Sequence, residues 1–156
     1  LRQLLEPRTV TSKQRLKVMK TLSEAGIPVG IMTAPVIPGL NNHEIPALIE
    51  KAAEHGARTA GYTIVRLNGS IGQIFEDWIH KTFPDRAQKV LNQIKDCHGG
   101  TLNDSRWGAR MTGEGKFAEN IRQMHELACK KHFKGQSMPS YRFDLFWKPG
   151  SQLDLF

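Results

Sequence analysis

Residues 12–69 twice spell a helix, a short link and an apolar strand, and this repeat restricts the fold more than any other feature of the chain. Ser12 is placed to cap a helix over 13–25, in which Leu16, Met19 and Leu22 share one face; Gly26 followed by Pro28 stops it. Val29 to Ala34 is apolar without alternation, the pattern of a strand covered on both faces. Asn42 then caps a second helix, with Ile45, Leu48, Ile49 and Ala52 at helical spacing and Gly56 at its end. Thr59 to Leu67 forms the second strand and closes on Asn68-Gly69; a third helix over about 71–83 ends before Pro84. Helices and strands alternating through links this short predict parallel strands joined by right-handed crossovers.

After Pro84 the strand signals stop. A helix starting at Asp85 runs to Cys97 and breaks at His98-Gly99-Gly100, and a strandless glycine-rich polar stretch covers 99–115. A last helix over 116–133 is expected to bury Phe117, Ile121, Met124, Leu127 and Ala128. The chain therefore divides into βα units over 1–84, a helical extension over 85–148 and a tail over 149–156. No low-complexity tract occurs in the chain. Two strands alone make a poor parallel sheet. The fold expected is α/β: the last βα units of a partial, TIM-like (β/α) barrel plus a mainly helical extension. The chain opens on Leu1 in a charged, helix-like segment, so an amino-terminal half of the barrel is expected to precede it.

Hydrophobic residues at 39% and charged residues at 24% fit a globular chain, which sets aside a disordered one. No apolar run approaches ~18 residues and no signal peptide opens the chain, so no membrane partner is expected. Two cysteines are too few for a disulfide framework, which predicts a reducing, cytoplasmic setting. Charge is uneven: residues 1–79 hold 9 Lys+Arg against 7 Asp+Glu, and residues 80–156 hold 13 against 8. The more basic half suits either a solvated surface or a nucleic-acid partner.

Gln14-Arg15-Leu16 followed by Ala25-Gly26-Ile27, together with Glu6-Pro7-Arg8-Thr9 and Gly30 through Pro35, resembles the second half of a radical S-adenosylmethionine (radical SAM) domain, in the branch related to spore photolyase. The wording through Leu102-Asn103-Asp104-Ser105-Arg106 and Gly113-Glu114-Gly115 is similar to a bacterial group within that superfamily. The resemblance implies an enzyme that cleaves S-adenosylmethionine reductively to a 5′-deoxyadenosyl radical and abstracts hydrogen from its substrate. It implies that Arg15 pairs with the cofactor's carboxylate, which a guanidinium does well through two parallel hydrogen bonds. It also implies that Ala34 and Val65, near the carboxyl ends of the two strands, line the adenine. Against this stand two bland readings: Arg15 as one basic residue on a solvated face beside Lys13, Lys17 and Lys20, and Ala34 and Val65 as ordinary strand core.

The superfamily's Cys-x-x-x-Cys-x-x-Cys motif, which holds a four-iron four-sulfur cluster, does not occur in this chain. The resemblance thus implies a cofactor-binding part of a longer enzyme, inert alone, whose cluster ligands lie upstream. Cys97, His98, Cys129 and His132 are zinc-ligand types, but tight Cys-x-x-Cys spacing is absent and the cysteines are better explained as buried structural thiols. The polar run Asn103 to Arg106, with Arg110 and Glu114, is either a substrate contact or a solvated loop pinned by Trp107.

The tail Gln152-Leu153-Asp154-Leu155-Phe156 matches the short peptide by which bacterial polymerases and repair proteins dock on the DNA sliding clamp. The glutamine would anchor through its amide while Leu155 and Phe156 fill an apolar pocket. A terminal plug folding back on its own core is the alternative. The clamp-like tail, the basic half and the spore photolyase likeness all lean towards nucleic acid or its repair. The competing class is a non-catalytic, basic, DNA-associated module recruited through that tail.

Overall fold

A two-stranded parallel sheet, packed on one face by helices, organises the body. It is seen in a computed structural model that describes residues 1–146. In chain order the elements are α1 (Arg2–Leu5), α2 (Ser12–Glu24), β1 (Val29–Val36), α3 (Ile45–Glu54), β2 (Ala57–Ile64), α4 (Ser70–Thr82), α5 (Pro84–Cys97), α6 (Ala109–Thr112) and α7 (Gly115–His132). Short 3-10 turns stand at Asn42–Glu44 and Phe143–Leu145. The chain is thus α/β.

Helix α2 is capped one residue earlier than its spelling suggests. Thr11 holds the extended conformation of a cap and its hydroxyl accepts from the Gln14 N–H at 3.3 Å, so Ser12 is already helical. Asn42 does not cap α3. Its carboxamide oxygen accepts from the Gly39 N–H at 2.8 Å, and the neighbouring Asn41 accepts from the Ile37 N–H at 2.7 Å. The loop after β1 has no ladder partner for these amides, so side-chain acceptors take them, and α3 begins only at Ile45 with Pro46 in its first turn.

β1 and β2 pair in parallel with Ile31 opposite Ala60 and Thr33 opposite Tyr62, and α3 supplies the crossover that parallel strands need. β2 starts at Ala57, before Thr59, and ends at Ile64, short of Leu67. Val65 still donates to the Val36 carbonyl at 2.8 Å, but the Leu67 N–H turns away to the carbonyl of Leu102, and the ladder stops.

The strands are covered on one face, where the run Val29 to Ala34 led us to expect two. Ile31, Ala60 and Tyr62 pack on the core, while Gly30, Met32 and Ala34 alternate with them and are exposed. Met32 is 64% exposed, and Gly61 beside it leaves room for its thioether end. Among the described residues α3 supplies most of the cover, with α2, α6 and α7 beside it, and the Tyr62 ring lies 4.8 Å from that of His125 on α7.

One hydrophobic cluster runs from Val36 to Phe133 and joins Ile49 on α3, Ile64, Ile79 on α4, Val90 and Ile94 on α5, and Ile121 on α7. The boundary expected at residue 84 therefore lies inside a shared core. Helix α7 buries Ala118, Ile121, His125 and Ala128. Phe117 and Leu127, expected inside, are exposed, and Met124 is half-buried. The apolar stripe is rotated because α7 packs on α3 and α5 as well as on β2, where the His125 ring meets that of Tyr62.

Candidate functional site

The first turn of α2 brings Arg15 beside the carboxyl end of β1. There Arg15, Ser12 and Ala34, with Asn41 and Glu44 from the following loop, line a groove of about 360 Å3 that continues along β1 past Met19 and Ile31. A second hollow of about 190 Å3 opens from the same rim and shares Ser12, Arg15, Ala34, Pro35, Asn41 and Glu44. The volume lies within the ~300–1,000 Å3 range of small-molecule sites. Neither Arg15 nor Glu44 takes part in an ion pair among the described residues. The groove thus offers a guanidinium for an anionic group, a carboxylate and a hydroxyl for donors, and an apolar wall from Leu16, Met19 and Ile31.

Arg15 and Ala34, 19 positions apart in the sequence, meet at this rim. Val65 does not join them. It is 7% exposed, its backbone extends the ladder to Val36, and its side chain belongs to the core. Sequence reasoning passed over Met32, Asn41 and Glu44 in the groove. The only available signal for Met32 was its alternation with Ile31 and Thr33, which the continuous apolar run concealed.

The polar loop forms a second feature. His98 is 2% exposed; a carbonyl can only accept, so its Nε2–H donates to the Val65 oxygen at 2.8 Å. Asp104 is buried and accepts from the Arg106 backbone N–H at 2.8 Å and from its guanidinium at 2.6 Å, while Arg106 also reaches Glu114 at 2.9 Å. The Arg106 hydrogen bonds hold the Asp104 carboxyl below the usual carboxylate range. These charges satisfy one another and clamp the loop across 104–114. Trp107 does not pin it: the ring is exposed, with Arg110 4.7 Å from its centroid, and Leu102 is the residue that packs on the core.

Cys97 is buried on α5, where burial pushes its thiol up to about 11. Cys129 on α7 lies 3.7 Å from His125 Nδ1, and burial raises its thiol as well. Among the described residues no three His, Cys, Asp or Glu side chains gather into a metal-holding group. No helix there is long and apolar enough to cross a membrane. Gln152, Leu153, Asp154, Leu155 and Phe156 lie outside the described residues.

Fold and groove together define a class no finer than an α/β unit with a parallel strand pair and an open, Arg-bearing groove at its rim. Comparison with protein-family models, with curated proteins and with solved structures found no match to this chain.

Proposed function

We propose that the chain is the carboxyl-terminal, cofactor-gripping part of a radical SAM enzyme, with its βα units completing a TIM-like barrel. The observation that carries this reading is the meeting of Arg15 and Ala34 in one groove at the carboxyl end of β1, where barrel enzymes hold their ligands. Arg15 would take the carboxylate of S-adenosylmethionine and Ala34 would lie against the adenine, with Met32 on the same side of the strand. Val65 would support the strand end from within the core. The bare side of β1, with its exposed Met32, adds support, because an apolar strand uncovered on one side gains stability when further staves cover it.

The cluster does not fit this chain. Two cysteines cannot supply three thiolates, so radical formation belongs to the longer enzyme and not to these residues. Arg15 and the groove around it would hold and orient the cofactor.

Calorimetric titration of the chain with S-adenosylmethionine tests the reading. Binding should occur and should weaken about tenfold or more in Arg15→Ala, the loss of one charge-assisted bidentate contact. Arg15→Lys should recover only part of it. Binding that ignores Arg15 would overturn the assignment.

We also propose that residues 152–156 dock on the DNA sliding clamp, which would bring the enzyme to nucleic acid. The competing reading, a non-catalytic DNA-associated module, draws on the basic end of α7, where Lys130, Lys131 and His132 cluster. It predicts DNA affinity that falls steeply with salt and does not respond to S-adenosylmethionine.

A further inference from the structure

The segment leading to the tail holds four large side chains away from the core. Tyr141 is exposed, Phe143 is 78% exposed, Leu145 71% and Phe146 74%. A surface leucine or phenylalanine is ordinary alone; four within six residues are not, since each loses the stabilisation that burial would bring. The backbone here is nevertheless ordered into a turn. Leu145 N–H donates to the Arg142 carbonyl at 3.2 Å and Phe146 N–H to the Phe143 carbonyl at 3.1 Å. Arg142 closes the turn by pairing with the Asp144 carboxylate, its Nε lying 2.8 Å from Oδ1. A preformed turn presenting Leu145 and Phe146 loses less conformational freedom on docking than an unstructured one.

The sequence states what such a turn would fit. Phe143-Asp144-Leu145-Phe146 repeats Leu153-Asp154-Leu155-Phe156, with Asp, Leu and Phe identical and the two copies ten residues apart. A cleft that takes one Asp-Leu-Phe peptide meets the same chemistry in the other. The copies differ where Gln152 stands: its counterpart is Arg142, which is already committed to Asp144 and offers no free amide.

We infer that Asp144-Leu145-Phe146 is a second docking peptide for the same apolar cleft as Asp154-Leu155-Phe156, and the weaker of the two because it lacks the glutamine anchor. The inference rests on the docking reading of 152–156. Ten residues span at most ~35 Å, so one chain bridges two clefts only within that distance, and otherwise the copies alternate at a single cleft and slow the chain's escape.

The test is surface plasmon resonance of the full chain over an immobilised bacterial sliding clamp. Phe156→Ala should weaken binding without abolishing it, and adding Leu145→Ala with Phe146→Ala should remove the remainder. Leu145→Ala with Phe146→Ala alone should weaken binding about twofold or more, through faster dissociation. These side chains lie off the core, so unchanged circular dichroism and melting confirm that the variants fold. If Phe156→Ala alone abolishes binding and the 145/146 pair has no effect, the second peptide is overturned and the tail reading stands. If Phe156→Ala changes nothing while the 145/146 pair abolishes binding, the tail reading falls and Asp144-Leu145-Phe146 is the docking peptide. An intact chain that does not bind at all overturns both.

Discussion

His98 Nε2–H donates to the carbonyl oxygen of Val65 at 2.8 Å, tying the end of α5 to the carboxyl end of β2 across 33 positions. His98→Leu keeps the bulk and removes the donor, which leaves a buried carbonyl unpaired. A loss of about 1–3 kcal/mol in urea unfolding is expected. His98→Gln, whose amide donates, should recover part of it. Equal stability of the leucine variant and the parent would show that the bond contributes nothing.

Ile49 on α3 is fully buried in the shared core, so Ile49→Ala removes apolar contact and leaves a cavity. The expected cost is about 2–5 kcal/mol, seen as a lower melting temperature. Both the strand pair and α7 should unfold together in that variant, because one cluster joins them. Two separate melting transitions would show that the α5–α7 region is an independent unit.

Burial lowers the proton affinity of His125 below the ordinary histidine value. The facing groups are the Tyr62 ring, the Cys129 thiol and, on its own helix, Glu126. The unfolded chain binds a proton at about pH 6.5 where the folded chain does not, so stability falls as pH drops below that value. His125→Gln should flatten the change in urea midpoint between neutral and mildly acidic pH. An unchanged slope would assign the acid sensitivity elsewhere.

Cys97 is fully buried with its thiol raised to about 11, whereas Cys129 is partly exposed. Iodoacetamide at pH 8 should label Cys129 in the folded protein and reach Cys97 only on unfolding, as the thiolate is the reactive form. Mass spectrometry of the labelled peptides reads this directly, and early labelling of Cys97 would contradict its burial.

Much of the architecture is legible in the residues. Gly26 with Pro28, Gly56 and Pro84 mark helix boundaries to within one or two positions, since stop signals act on the local backbone. The parallel pairing also follows, because a helical crossover between two apolar runs allows it and a tight hairpin turn is missing. The side chains are less legible. Asn42 looks like a cap but serves, with Asn41, the amides of the loop behind them, and the buried stripe of α7 follows its packing on α3, α5 and the Tyr62 ring.

The groove shows the same division. Arg15 and Ala34 carry no mark of proximity in the sequence, and Val65 resembles Ala34 in type and strand position, yet only Ala34 reaches the rim.

By itself the sequence determined the longer helices and the two strands, in what order, and that the strands run parallel, because periodicity and backbone stop signals act over a few residues, while the short α6 within the polar stretch left no such pattern. Only the tertiary structure decided which strand face lies bare, that Val65 turns inward and that Arg15 stands over the exit of β1. Those outcomes depend on packing between segments far apart in the chain, which no local pattern encodes.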